Sequence, residues 1–155
     1  MSDFYSIELP VFRSIYRQNN VIKITTDSGI EYRTALEKFA LYFKREFGYD
    51  FIQYEADEHL YSNYEYVGFL FIDSAHDLYD ENDSVAPQRG IGGCCFRKRS
   101  DVWVLDWIWL HPFCRRRGVL TNSWDLFLAM FGSFKVEKPI SVEMQKFLEK
   151  IEGRT

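Results

Sequence analysis

The spacing of hydrophobic and polar positions changes along the chain, and each change marks a predicted element. Residues 4–16 fit a strand followed by a short helix, and the β-branched residues at 21–26 predict a strand that stops at a turn sequence. Apolar side chains then recur at helical intervals, and they are Tyr32, Leu36, Phe39, Ala40, Phe43 and Phe47. We expect this helix to end at Gly48 and its aromatic stripe to lie in the core.

Three strands are predicted between residues 66 and 111, at 66–72, 91–97 and 102–110. The first two are expected to pair antiparallel across a long acidic loop at 73–89. In the third, strict alternation predicts one face with Val102, Val104, Asp106, Ile108 and Leu110, and another with Trp103, Leu105, Trp107, Trp109 and His111. Asp106 is the one carboxylate on these two apolar faces.

A basic turn, Arg115-Arg116-Arg117-Gly118, follows the third strand and leads into an amphipathic helix that ends at Gly132. A strand that delivers its end into a cationic, glycine-containing turn at a helix N-terminus is suited to bind an anion. The alternative is a solvated cationic turn without a ligand. A short strand at 134–138 and a last helix with Ser141 as its N-cap complete the pattern.

Composition limits the class of protein. At 155 residues, 46% apolar and 27% charged, the chain is expected to form one soluble domain. Its 3 Cys and 3 His lack zinc-site spacing, so no metal is predicted. No signal peptide and no apolar stretch of roughly 20 residues is visible, which favours a cytoplasmic protein that does not enter a membrane. The net charge of −4 argues against nucleic-acid binding through the basic segments 97–99 and 115–117.

The turn resembles the signature of the GNAT superfamily of acyl-CoA N-acyltransferases, Pro-x-x-Arg/Gln-x-x-Gly-x-Gly/Ala after the fourth strand. Pro112, Arg115 and Gly118 stand at the expected spacing. Leu120 occupies the position where a second Gly or Ala is usual. The order of the predicted elements from residue 66 onward also matches.

The resemblance implies a single α/β domain over residues 1–155, with a mixed, mostly antiparallel sheet flanked by helices and a splayed strand before the turn. Residues 66–151 would be the motif-bearing core, and residues 1–65 a variable part that shapes the acceptor pocket. Acetyl-CoA would be the cosubstrate, its pyrophosphate on the turn and its pantetheine arm on the strand. The residues assigned to it are Trp109, Leu110, His111, Arg115, Arg116, Arg117, Gly118, Val119 and Leu120.

The resemblance implies that catalysis needs a base on the strand and an acid in the last helix. The base would be Asp106; the alternative is that this carboxylate has no catalytic role and is only satisfied by a neighbouring donor. Leu148 stands where the family's proton-donating tyrosine is usual, and leucine cannot donate a proton. Either Ser141 or one of the chain's many tyrosines protonates the thiolate, or the thiolate leaves unaided, or the protein is not catalytic. The family's final strands are also missing after the last helix. The acceptor side is therefore either open or completed by a second subunit, as in a homodimer.

Two functions follow as expectations. The first is an N-acetyltransferase that moves acetyl from acetyl-CoA to the primary amine of a cationic acceptor, which is a small molecule, a protein lysine or a protein N-terminus. The acidic loop fits the charge of such an acceptor. The alternative is a catalytically inactive protein on the same scaffold that binds coenzyme A or a partner.

Overall fold

In the computed structural model, one mixed sheet runs through the molecule with helices on both of its faces. The model describes residues 7–13, 21–56, 65–78, 80–82, 86–138 and 140–152. The elements are β1 (Val11–Phe12), β2 (Val21–Ile24), α1 (Ile30–Phe47), β3 (Tyr66–Ser74), β4 (Gln88–Arg99), β5 (Val102–Leu110), α2 (Val119–Phe131), β6 (Lys135–Val136) and α3 (Val142–Glu152). Single turns of 3₁₀ helix lie at His76–Leu78 and Pro112–Cys114.

The strand order is β2-β3-β4-β5-β6, and β1 pairs with the start of β4. Every pairing is antiparallel except the parallel one between β5 and β6. The predicted fold class is confirmed. The short helix predicted before residue 16, and part of the acidic loop, lie outside the described residues. No helix among the described residues is long and apolar enough to cross a membrane.

The end of β5 splays away from β6. The two strands pair at Val104 with Lys135 and at Leu105 with Val136, and the N–H of Glu137 donates to the Leu105 carbonyl at 2.9 Å. Beyond that point no described strand pairs with β5 on this side, although β4 continues on the other side as far as Leu110. The second half of β5 is therefore an open edge, as predicted for the strand before the turn.

A β-bulge in β5 breaks the predicted alternation. Cys95 of β4 pairs with Trp107, but its neighbour Phe96 pairs with Leu105, so Asp106 is the extra residue. The predicted faces are consequently wrong across this point. Leu105 and Trp103 pack with Ile108 and Leu110 on one side of the sheet, whereas Trp107 and Trp109 pack on the other.

Each face of the sheet carries its own apolar cluster. Under α1, Leu36, Phe39 and Ala40 are fully buried, and Phe39 stacks on Trp109 at 5.7 Å between ring centroids, so the predicted core role of this helix is confirmed. Under α2, Phe127 lies in contact with Phe69 and Phe96. Burial of each such ring contributes on the order of 2–3 kcal/mol. The last ring of the α1 stripe, Phe47, differs because it is 42% exposed.

Gly92 allows β4 and β5 to approach closely where β5 ends. A Cβ at this position would lie 2.3 Å from the carbonyl oxygen of Trp109 and 2.9 Å from Cα of Leu110. Both contacts are with backbone, so no side-chain movement relieves them. Gly92 thus sets the position of the strand end that enters the basic turn.

Candidate functional site

Two cavities open beside the second half of β5. The first, here called the turn cavity, has a volume of about 580 Å³ and lies between the basic turn and α3. The second, here called the aromatic cavity, has a volume of about 590 Å³ and lies between the end of α1 and the charged edge of β4 and β5. Their linings share Phe47, Ile108, Ser141 and Met144. The open edge of β5 therefore connects two spaces of ligand size.

The basic turn presents the N-terminus of α2 to the turn cavity. Gly118 is the N-cap in the left-handed region, with φ 83°, and no side chain caps the helix. The first N–H groups of an α-helix lack partners within the helix, and the helix dipole adds partial positive charge there. Gly118, Val119 and Leu120 all line the cavity, as do Arg115 and Arg116. This arrangement is suited to an anion.

Arg115 is an anchor for the turn. Its guanidinium forms a two-point ion pair with Glu46 of α1, at 2.6 and 2.8 Å, and its Nε donates to the Leu110 carbonyl at 2.8 Å. Glu46 also accepts from Nε1 of Trp109 at 2.9 Å. Burial raises the pKa of Glu46, but Arg115 and Trp109 together outweigh this effect and hold the pKa below its usual value. The sequence had assigned Arg115 to coenzyme A.

The other two arginines of the turn lie further out. Arg116 has φ 65° and pairs with both carboxylate oxygens of Glu143 at 3.0 Å, which links the turn to the first turn of α3. This contact lowers the pKa of Glu143. Arg117 is exposed and makes no hydrogen bond or ion pair with a described residue. Unlike Arg115 and Arg116, it does not line the turn cavity.

Two cations of α3 that sequence reasoning missed also line the turn cavity. Lys146 and Lys150 are four residues apart, so they lie on one face of the helix. The spacing is visible in the sequence, but it indicates a site only once α3 is known to face the turn.

The ladder between β4 and β5 decides which backbone groups face the open edge. The N–H of His111 donates to the Ile91 carbonyl at 2.8 Å, so the backbone of His111 points toward β4. In an antiparallel ladder, hydrogen-bonded and non-hydrogen-bonded residue pairs alternate. The backbone N–H and C=O of Trp109 therefore also point toward β4, while those of Ile108 and Leu110 point to the open edge. Of the predicted residues Trp109, Leu110 and His111, only Leu110 has its backbone on the open edge. Ile108, which sequence reasoning missed, shares that edge.

The side chains of Trp109 and His111 are likewise directed to the protein. Trp109 is 2% exposed and packs under α1. Nδ1 of His111 accepts from the N–H of Phe113 at 3.1 Å. Burial and the charge of Arg115 lower the pKa of His111.

Asp106 lies in the lining of the aromatic cavity, with its side chain 5% exposed. One carboxylate oxygen is 3.0 Å from Nε of Arg97, and the other is 3.1 Å from Nη2 of Arg99. Arg99 also pairs with Glu137. Burial raises the pKa of Asp106, and the two guanidinium groups oppose this without cancelling it. The carboxyl is thus a better proton acceptor than a solvated aspartate, although both of its oxygens are paired.

Ser141 is the N-cap of α3, as predicted. Its Oγ accepts from the N–H of Met144 at 3.1 Å, and the residue lines both cavities. Leu148 packs against the cluster under α2 and lines neither cavity. Tyr49 is the one described tyrosine in the cavity linings.

No group of described residues is arranged to hold a metal ion. Burial raises the thiol pKa values of Cys94 and Cys95, and both thiols are enclosed in the core. In the acidic loop, Asp77 pairs with Arg89 at 2.8 Å. His59 lies outside the described residues.

The comparisons with known proteins give little. No family model and no curated protein matches the chain. Among solved structures, the chain is similar to an aminoglycoside acetyltransferase from an uncultured soil metagenomic sample, in complex with trehalose. The two share 14% identity over 86% of this chain and 84% of that chain, with a TM-score of 0.47. These values are too low to bear on the function of this protein.

Proposed function

We propose that this protein transfers an acetyl group from acetyl-CoA to a primary amine. The observation that carries the proposal is the uncapped N-terminus of α2, which is entered through the left-handed Gly118 and opens on a cavity beside an unpaired strand edge. An anion site next to free backbone donors and acceptors suits a ligand with a pyrophosphate and an amide-bearing arm.

In this proposal the pyrophosphate lies on the first N–H groups of α2. Lys146, Lys150 and Arg116 supply cationic charge around the turn cavity. Arg115 positions the turn through Glu46 and does not contact phosphate. The pantetheine arm extends along β5, where Ile108 and the N–H of Leu110 are its hydrogen-bonding partners. Leu120 narrows the cavity beside the pyrophosphate.

The acceptor amine occupies the aromatic cavity and meets the thioester near Ile108, in the lining that both cavities share. Asp106 takes the proton of the ammonium, directly or through water. The nitrogen attacks the thioester carbonyl, the C–N bond forms and the C–S bond breaks. The departing thiolate receives a proton from Ser141 or from solvent. The nitrogen loses its second proton as the amide forms, so the products are amide, free coenzyme A and one proton.

A second candidate is a protein that binds coenzyme A without catalysis. The pairing of both Asp106 oxygens with Arg97 and Arg99 favours it, as does the packed position of Leu148. The two candidates share the binding site and differ in turnover. Release of coenzyme A thiol in the presence of amines distinguishes them.

Calorimetric titration with acetyl-CoA tests the binding site through Gly118→Trp. A tryptophan here meets a left-handed backbone and projects into the space for phosphate, so we expect affinity to fall at least about tenfold. Gly132→Trp is the matched control, because Gly132 has φ 67° at the other end of α2 and lines neither cavity. Equal affinity of Gly118→Trp and the control would refute this site.

A further inference from the structure

The aromatic cavity takes its name from a wall of rings at the end of α1. Phe43 lies 5.1 Å from Phe47 and stacks on Tyr49 at 5.2 Å with an interplanar angle of 12°. Phe51 continues the wall, and it is 64% exposed, while Phe47 is 42% exposed. Large rings left open on one side of a cavity offer stacking surface to a ligand.

The charges in the same cavity are nearly balanced. Three cationic side chains, Arg97, Arg99 and Lys138, stand against two carboxylates, Asp106 and Glu137, which leaves a formal excess of one positive charge. Both carboxylates are already paired with arginine. A ligand with several ammonium groups would therefore meet no uncompensated negative charge here.

From the ring wall and this charge balance, we infer that the acceptor is a primary amine carried on a short arm from an aromatic ring, without a second cationic group. The inference rests on the proposed function and narrows the cationic acceptor expected from the sequence. The ring would stack on Phe47, Tyr49 and Phe51, and the amine would point toward Ile108. A cavity of about 590 Å³ accommodates a ring with a short amine arm.

The transfer step balances for such an acceptor. The ammonium loses one proton to Asp106, and the neutral nitrogen forms the C–N bond as the C–S bond of acetyl-CoA breaks. The nitrogen loses its second proton as the amide forms, and the thiolate gains one proton through Ser141 or solvent and leaves as free thiol. Asp106 returns its proton to solvent, so the products are amide, free coenzyme A and one proton. No oxidant or reductant takes part.

The first experiment measures kcat/KM with acetyl-CoA and a panel of amines, by release of coenzyme A thiol. Tryptamine and phenethylamine test the ring, butylamine keeps the amine without a ring, and spermidine and a lysine-containing peptide test polycations. We expect the aromatic amines to exceed the others by about tenfold or more. A preference for spermidine or the peptide would overturn the inference and leave the acetyltransferase proposal intact.

The second experiment measures tryptamine binding directly by calorimetry, with and without coenzyme A, so that it does not depend on turnover. Phe51→Ala should weaken binding about tenfold. Ile30→Ala is the control, since Ile30 is 59% exposed at the opposite end of α1 and should leave binding unchanged. Tryptamine binding with this pattern supports the inference even if no acetyl transfer occurs. Absence of binding, or equal binding to both variants, overturns it even if acetyl-CoA binds.

Discussion

Arg115 directs its donors at the protein rather than at the turn cavity. Its contacts reach Glu46 of α1, the Leu110 carbonyl at the end of β5 and the face of Trp109, whose ring centre is 5.7 Å from the guanidinium carbon. A guanidinium has five N–H donors in a rigid fork, which suits it to hold several elements at fixed positions. The geometry of the turn thus depends on a carboxylate 69 residues away in the chain.

Substitution of Glu46 by Gln should loosen the basic turn while it keeps the volume of the side chain at position 46. The charged partner of Arg115 is lost, so we expect the free energy of unfolding to fall by about 1 kcal/mol and the affinity for acetyl-CoA to fall severalfold. Urea denaturation and calorimetric titration measure the two effects. Glu149→Gln is the control, because within the described part of the chain Glu149 accepts a single, exposed hydrogen bond, from Gln145.

The stability effect of Glu46→Gln should depend on pH. The pKa of Glu46 is lowered in the folded protein, so its stabilising contribution is complete above the unfolded value near 4.5 and is lost as pH falls through the lower folded value. The difference in the free energy of unfolding between the wild type and the variant should be largest near pH 7 and should shrink as the pH falls below about 4.5. A difference that does not change between pH 7 and pH 3 would exclude this ion pair as its cause.

Asp106→Asn tests the proposed base. Asparagine keeps the size of the side chain but cannot accept the proton, and we expect kcat/KM to fall by about 100-fold or more. The pKa of Asp106 is raised above 3.8, so wild-type kcat/KM should decrease as pH falls through that raised value, and the variant should lack this decrease. Asp101→Asn, in the exposed turn before β5, is the control. Unchanged rate and pH profile would assign the base to another group.

At the scale of elements, the existence of β3, β4, β5 and the three helices could be predicted because each follows from local periodicity. The bulge at Asp106 could not, since it arises from the register between β4 and β5, and that register depends on hydrogen bonds between residues distant in sequence. Strict alternation therefore assigned Trp103 and Leu105 to the wrong face. The splay of β5 was expected only through the family resemblance.

In the candidate site, too, the features that follow from local sequence could be predicted, and those that depend on packing between distant elements could not. Gly118 and the cationic turn were found because a short motif carries them. Glu46 and Lys146 were missed because each belongs to a polar helix face whose orientation toward the cavity depends on how α1 and α3 pack. The aromatic stripe of α1 was predicted as core, but its last two rings, Phe43 and Phe47, line the aromatic cavity, and Phe47 is 42% exposed.

At the scale of the molecule, the turn cavity joins parts that are otherwise separate. Its lining comes from the end of α1, the open edge of β5, the basic turn and α3. Met144, which is 9% exposed, is the one buried side chain of α3 among the described residues, so we expect α3 to be held less firmly than the central strands. A ligand in this cavity would therefore stabilise α3 more than the central strands, whose ladders are complete without it.

Hydrogen exchange with and without coenzyme A tests this coupling. In the free protein we expect α3 to exchange faster than β3 and β4. At coenzyme A concentrations about 100-fold above the dissociation constant, binding adds about 2.7 kcal/mol to the free energy of each local opening that releases the ligand. Amide exchange through these openings is then slowed by up to about 100-fold. Protection should appear at α3, at residues 115–121 and at the end of α1, and at the same ligand concentration it should be at least about tenfold smaller in Gly118→Trp, in line with the expected loss of affinity. Protection of β3 without α3 would contradict binding in the turn cavity.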